Sequence, residues 1–182
     1  HIECSAMSLK YLGETFDFHG GGSDLIFPHH ENEIAQSQAC CSNEESFAKY
    51  WLHNGFITIN QEKMSKSLNN FFTVEDILKK YPAEVLRFFI VATHYRSPLD
   101  FADERLQEAA AGLGKIKKSM ENLQALAKIE TVGNAATAKD LRSAAETAKK
   151  SFYEAMEDDF NTALALSFMF SLGKEINIYY QQ

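Results

Sequence analysis

The amino-acid sequence predicts an α/β part followed by an all-α part. Residues 1–101 contain all three prolines, all six histidines and the single tryptophan, and short strand patterns alternate there with helical ones. Residues 102–182 lack proline and are rich in Ala, Leu, Lys and Glu. A strand, a glycine segment, a helix and a second strand in succession favour a parallel sheet that carries helices. Long proline-free amphipathic segments favour a helical bundle.

The α/β part is expected to begin with a helix over residues 2–12, which Gly13 ends. "TFDFHG", residues 15–20, alternates apolar and polar side chains, which is typical of a strand. After a triple-glycine loop, residues 28–39 predict a helix, because proline is tolerated in a first helical turn. "GFITIN", residues 55–60, predicts the second strand because it is rich in β-branched residues.

The following segment is expected to be helical in short pieces. Thr73 is a predicted N-cap, and Asp76 stands where a capping box needs an acidic side chain. Pro82 then begins a helix that is expected to run to Tyr95, and "RSPLDF" is expected to be a loop. Three bundle helices are expected over residues 102–129, 138–159 and 161–180, with a capped junction at 159–162.

Composition excludes several classes of protein. The chain has 182 residues, which is enough for one domain or two small ones, and a formal net charge of −7. Such an acidic chain does not predict a broad nucleic-acid surface, and no apolar run is long enough for a transmembrane helix. Three cysteines, two of them adjacent, form a poor disulfide framework and indicate a reducing, cytoplasmic compartment. Because the chain opens at His1 and not at Met, a fragment or a processed product is expected.

The stretch "HGGGSDLIFPHHENE" contains a possible metal site. His29 and Glu33 are four residues apart, so a helix places both on one face. Together with the sulfur of Cys4 they would make a ligand set that suits Zn²⁺ better than Mg²⁺ or Ca²⁺. A His and a Glu at this spacing are more often a surface pair, however, and His30 is a competing histidine. From the residues alone, both interpretations stay open.

The three glycines, residues 20–22, allow a ligand to approach the backbone closely at the carboxyl end of a strand, where open α/β sheets bind ligands. Their spacing does not match a P-loop or a dinucleotide fingerprint. Asp24 could accept hydrogen bonds from ribose hydroxyls or could cap the next helix, and both roles are open.

"KMSKS", residues 63–67, places two ammonium groups and two hydroxyls in a polar loop after a predicted strand. Such a loop can close over a triphosphate and neutralise charge on a departing pyrophosphate. The alternative is an ordinary basic loop.

Five segments together resemble the cysteinyl-tRNA synthetase family of class I aminoacyl-tRNA synthetases. They are "HIECSAM", "FDFHGGGSDLIFPHHENEIAQS", "EKMSKSL", "FFTVEDIL" and "AEVLRFF…THYRSPLDF". The resemblance is close over residues 1–101 and looser in the helical part, where "DDFNTALAL" is similar to the family. It implies the second half of a Rossmann-like nucleotide fold over residues 1–72, a stem-contact region over 73–101 and a tRNA-binding helical bundle over 102–182.

The resemblance also implies a zinc site. Cys4, His29 and Glu33 match three ligands of one zinc ion per chain, which singles out His29 and not His30. The fourth ligand of the family is a cysteine from an N-terminal segment that this sequence lacks. Zinc would recognise the thiol of cysteine, which it binds much better than a hydroxyl.

The implied nucleotide site consists of residues around the two signature segments. Lys63 and Lys66 match catalytic positions, and Lys66 matches the lysine that contacts ATP. The adenosine would lie along Asp24, Gly21, Gly22 and the backbone of Ile57. The implied substrates and partners are L-cysteine, ATP with Mg²⁺ and tRNA(Cys), with no membrane, and a monomer is expected.

The sequence departs from the family at two points. Asn69 replaces the glycine of the usual "KMSKSLGN", and the turn is expected to survive because Asn tolerates the left-handed region. A HIGH-type motif is missing, so the 182 residues alone are expected neither to activate cysteine nor to charge tRNA. Trp51 and His53 are interpreted as structural residues. The alternatives are a cysteine ligase of mycothiol biosynthesis, which would share the zinc and KMSKS motifs, and a non-catalytic helical interaction module.

Overall fold

A computed structural model describes residues 1–41, 47–59, 62–63, 73–128 and 135–181. The chain divides into two compact units. The first comprises His1–Ile57 and Tyr95–Pro98, and the second comprises Thr58–His94 and Leu99–Gln182. The predicted order of α/β elements followed by long helices is confirmed. Among the described helices, none has both the length and the apolar character to cross a bilayer.

The first unit is built from two helices and two parallel strands. Helix α1 spans Ile2–Leu12, strand β1 Thr15–Gly22, helix α2 Glu31–Cys40 and strand β2 Phe47–Asn54. The strands β1 and β2 pair in parallel, from Thr15 opposite Phe47 to Gly22 opposite Asn54. Helix α1 packs on α2, and the hydroxyl of Ser5 donates to the Gln36 side chain at 3.0 Å.

The parallel partner of β1 corrects the prediction that residues 55–60 form the second strand of this layer. The partner is Phe47–Asn54, whose sequence "FAKYWLHN" contains three aromatic side chains and no β-branched one. Aromatic residues favour strands as β-branched residues do, and the tertiary environment decides between such segments. Residues 57–59 do form a strand, but it belongs to a different sheet.

The connection between β1 and α2 contains two turns that the sequence did not predict. A short turn over Ser23–Leu25 and a wide helical turn over Ile26–His30 precede the regular helix, and the Phe27–Pro28 peptide is cis. The helix expected from residue 28 therefore becomes regular only at Glu31.

The three-stranded sheet has the order β4-β3-β5, with β3 at Ile57–Ile59, β4 at Glu62–Lys63 and β5 at Leu99–Phe101. Strands β3 and β4 pair antiparallel, and the Thr58 hydroxyl donates to Asp100 at 2.8 Å. The end of "RSPLDF", predicted as a loop, is thus a strand.

Among the described residues, two short helices lie between β4 and β5 in the sequence of the second unit. Helix α3 spans Val74–Leu78, and the predicted capping box is confirmed, because Thr73 and Asp76 each accept a hydrogen bond from the other's backbone N–H. Helix α4 spans Ala83–Val91 and ends before the predicted Tyr95, whose carbonyl instead accepts a hydrogen bond from the Gly55 N–H at 2.7 Å. The buried core cluster consists of Ile77, Val85, Phe89, Leu106 and Ala109.

Three long helices form the bundle: α5 at Asp103–Leu126, α6 at Ala135–Glu157 and α7 at Thr162–Gln181. Helix α7 packs against both α5 and α6. A polar cluster joins α5 to α7, and its α5 members Ser119 and Asn122 are buried. Asn177 donates to Ser119 at 3.1 Å, and Asn122 donates to Asn177 at 2.9 Å.

The turn between α6 and α7 uses two non-glycine residues with positive φ. Asp159 and Phe160 have φ of 54° and 53°, and the side chain of Asn161 accepts a hydrogen bond from the Leu164 N–H at 3.1 Å. The predicted capped junction is confirmed.

Candidate metal centre

The predicted metal ligands come together at the N-terminal ends of helices in the first unit. Cys4 lies in the first turn of α1, His29 in the turn before α2 and Glu33 in the first turn of α2. One possible ligand atom from each lies within 4.8 Å of the others, and His29 Nε2 is 3.2 Å from Glu33 Oε1. The structure therefore brings together the three residues that the sequence had singled out.

Glu33 provides the physical test of whether a metal ion fits here. Its side chain is completely buried, and among the described residues no donor is aligned for a hydrogen bond to either carboxylate oxygen. Burying a carboxylate is costly, and a bound cation offsets that cost. A sulfur, an imidazole nitrogen and a carboxylate oxygen form a donor set that fits Zn²⁺ and does not fit Mg²⁺ or Ca²⁺.

The thiol of Cys4 lies in the same environment. Burial raises the pKa of Cys4, and the neighbouring Glu33 carboxylate raises it further. Without a cation the neutral thiol is therefore favoured, whereas metal binding releases the thiol proton.

A second group of possible ligands shares Glu33. His19, His30 and Glu33 also have ligand atoms within 4.8 Å of one another, and His19 Nε2 is 2.8 Å from Glu33 Oε2. The imidazole and the carboxylate are thus in contact, although the N–H is not aligned for a hydrogen bond. His30 is buried, and its Nδ1 lies 2.8 Å from His53 Nε2. Burial, and after it the neighbouring His19, lowers the pKa of His30.

Sequence reasoning missed His19 and treated His53 as merely structural. Both belong to a histidine cluster that the parallel register builds, because His19 stands opposite Trp51 and Gly21 opposite His53. The feature of the sequence that could have pointed to His19 is its position near the carboxyl end of a predicted strand, one residue before the glycines.

The three glycines were predicted to form a loop, but they are the last residues of β1. A Cβ at Gly21 would lie 2.8 Å from Leu25 Cδ1 and 3.0 Å from His30 Cε1, so the close approach at Gly21 is to the protein's own side chains. A Cβ at Gly22 would collide with the Asp24 carboxylate. Asp24 does not cap the next helix, which has no side-chain cap. The predicted nucleotide contacts of Gly21, Gly22 and Asp24 stay predictions.

The lysine loop is described only at its first residue. The backbone of Lys63 forms part of β4, whereas Lys66 and Asn69 lie outside the described residues. Ile57, the predicted adenine contact, begins β3. The catalytic assignments of Lys63 and Lys66 and the contact at Ile57 therefore stay predictions.

Comparison with known proteins places the chain in a family. A family profile described as tRNA synthetases class I (C) catalytic domain matches residues 1–111. The chain belongs to this family. A second profile, described as DALR domain, matches residues 151–182.

Curated relatives of this class I synthetase chain include two proteins named cysteine–tRNA ligase. The protein from Desulfitobacterium hafniense is 58% identical over 183 residues, covering 100% of this chain and 38% of the relative. The one from Geobacter metallireducens is 58% identical over 178 residues, covering 97% and 36%. The resemblance found in the sequence is confirmed, and the chain spans slightly more than a third of these relatives.

Solved structures agree on the fold. Methionyl-tRNA synthetase from Mycobacterium tuberculosis in complex with methionyl-adenylate superposes with a TM-score of 0.70 at 20% identity, covering 91% of this chain and 34% of that one. The LeuRS of Agrobacterium radiobacter K84, in a ternary complex with tRNA and LeuAMS, gives 0.68 at 18% identity, covering 90% and 23%. The Rossmann-like class I fold followed by helices is thereby confirmed.

Proposed function

We propose that this chain is part of a cysteine–tRNA ligase, which activates cysteine with ATP and transfers it to tRNA(Cys). The observation that carries the proposal is the convergence of Cys4 and His29 on Glu33, a buried carboxylate that no described donor satisfies. The relatives named cysteine–tRNA ligase support it. Because the chain spans about 38% of such a relative, the activity is proposed for the complete gene product.

In this proposal Cys4, His29 and Glu33 hold one zinc ion, with a fourth protein ligand from outside the present sequence. When bound, zinc supplies a Lewis acid that binds the substrate thiolate and discriminates against serine. Cys4 contributes a sulfur ligand, His29 a neutral nitrogen and Glu33 a negative charge. The selection of cysteine over serine would then depend on the bond between metal and sulfur and not on a small difference in buried volume. Hydrolytic editing of wrongly activated amino acids would therefore not be needed.

The nucleotide side of the reaction is proposed from the family positions. Lys63 and Lys66, with Mg²⁺, would neutralise the phosphates while the carboxylate of cysteine attacks the α-phosphate of ATP and pyrophosphate leaves. Asp24, with Gly21 and Gly22, would orient the adenosine, while the Ile57 backbone would lie along the adenine. The rate of such a step depends mainly on the positioning of the reactants and on the stabilisation of charge on the phosphates, so no side-chain base is needed. A terminal ribose hydroxyl of the tRNA would then attack the carbonyl carbon of the cysteinyl-adenylate, which forms the ester and releases AMP.

The test is cysteine-dependent ATP–pyrophosphate exchange and charging of tRNA(Cys) by the complete gene product. Cys4→Ser is expected to lower kcat/KM for cysteine at least about 100-fold, because a hydroxyl is a poor zinc ligand. Cys40→Ser is the matched control, since Cys40 is exposed and lies outside the cluster of candidate ligands. Absence of cysteine-dependent exchange in the wild-type protein would refute the proposal.

The acceptor separates this proposal from a cysteine ligase of mycothiol biosynthesis. The DALR match over residues 151–182 supports tRNA as the acceptor. Charging of an amino sugar and not of tRNA would favour the alternative ligase, and a complete protein without zinc would favour a non-catalytic module. We place the enzyme in the cytoplasm as a monomer, and the absence of a disulfide among the three cysteines of this chain suits a reducing compartment.

A further inference from the structure

The two oxygens of the Glu33 carboxylate face two different imidazoles. Oε1 lies 3.2 Å from His29 Nε2, and Oε2 lies 2.8 Å from His19 Nε2. A carboxylate that binds a metal through one oxygen needs a partner for the other, and such partners fix the orientation of the ligand. At 2.8 Å from Oε2, His19 Nε2 is placed to supply that partner.

We propose that His19 is a positioning residue of the metal centre, which holds Glu33 Oε2 so that Oε1 is presented beside His29. This inference rests on the proposed zinc site and deepens it. His19 is not itself a ligand in this arrangement, because its nitrogen faces the oxygen that does not face His29.

The fold holds His19 in place through its ring contacts. The imidazole lies against the rings of Phe47, Trp51 and His30, with centroid distances of 5.2, 4.9 and 4.8 Å. Its backbone is fixed in β1 opposite Trp51. The imidazole therefore cannot swing away from Glu33 without disturbing its aromatic neighbours, and a group held in this way orients its partner at little entropic cost.

The competing arrangement is a metal ion held by His19, His30 and Glu33 themselves. Two contacts disfavour it. His30 Nδ1 is already 2.8 Å from His53, and its Nε2 edge faces Gly21, where a Cβ would lie only 3.1 Å away. One nitrogen of His30 is thus engaged by His53 and the other lies beside Gly21, whereas Cys4 offers a sulfur to the first arrangement.

The experiment measures metal binding in the complete gene product, with zinc affinity from chelator competition and with the spectrum of the Co²⁺ form. His19→Ala is expected to weaken zinc binding about 10- to 100-fold and to change the d–d bands, while the thiolate-to-cobalt charge-transfer band from Cys4 persists. His19→Gln is expected to retain most of the affinity, because its amide can donate from a similar position. His94→Ala, which removes a histidine that belongs to neither group of possible metal ligands, is the control.

Wild-type affinity and an unchanged cobalt spectrum in His19→Ala would overturn the proposal. It would equally fail if zinc binding survived Cys4→Ser and were abolished by His30→Ala, since the metal would then lie in the competing arrangement. Circular dichroism establishes that the variants are folded, and His19→Gln keeps the test decisive if His19→Ala does not fold. Failure of cysteine activation with these metal-binding results intact would reject the proposed function and leave the role of His19 standing.

Discussion

Replacing Glu33 with glutamine is expected to have opposite effects with and without metal. The substitution keeps the shape of the side chain and removes its charge. The buried carboxylate has no aligned donor among the described residues, and an unsatisfied buried acceptor costs about 1–3 kcal/mol, or more when it is charged. With the metal chelated, Glu33→Gln should therefore stabilise the helix Glu31–Cys40 by about 1–3 kcal/mol, a roughly 5- to 150-fold decrease in local opening.

With zinc present, Glu33→Gln is expected to destabilise the site, because a neutral amide is a much weaker metal ligand than a carboxylate. Zinc affinity should fall at least about 10-fold. The assay is hydrogen exchange of the α2 amides at pH 8, with and without chelator, together with zinc competition. Glu31→Gln is the matched control, since Glu31 lies in the same helical turn and is exposed. Faster exchange in the chelated Glu33→Gln protein, or unchanged zinc affinity, would refute the reasoning that the carboxylate is held there for a cation.

Three further predictions concern stability, measured by denaturant unfolding or local hydrogen exchange. Thr73→Ala should destabilise its helix by about 1 kcal/mol through loss of the capping box, and an effect near zero would contradict that role. Leu106→Ala should cost about 2–5 kcal/mol, because Leu106 is 1% exposed in the core cluster, and a loss below about 1 kcal/mol would show that the cavity collapses. Gly114→Ala should stabilise α5 by up to about 1 kcal/mol, since no atom of a neighbouring element lies within 4 Å of the added Cβ. Gly173→Ala should instead destabilise α7, because its Cβ would lie 2.9 Å from Ser119 Oγ. Equal effects of the two alanines would refute this steric argument.

Local patterns in the sequence predicted local structure well. The capping box at Thr73 and Asp76 depends on residues three apart, and the pairing of His29 with Glu33 depends on one helical turn, so both could be read from spacing alone. The ranges of the three bundle helices followed from their periodicity and were correct to within a few residues.

Features that depend on distant parts of the chain could not be predicted in this way. The pairing of β1 with Phe47–Asn54 depends on which of two plausible strands the rest of the fold accepts. The contact of His19 with Glu33 requires the end of β1 and the first turn of α2 to converge, and nothing in the spacing of these residues fixes that distance. The glycines illustrate the same limit, because their neighbours Leu25 and His30 are set by the wide turn before α2.

The abrupt turn between α6 and α7 has a consequence for the order of folding. Asp159 and Phe160 reverse the chain within a few residues, so the two helices meet after closing a very short loop. Helical hairpins with such local contacts form in microseconds, whereas strands distant in sequence pair more slowly. We therefore expect the α6–α7 hairpin to gain protection in pulse-labelling experiments before Thr15 pairs with Phe47. This hairpin would then be among the first structured parts of a chain whose candidate metal ligands come together later.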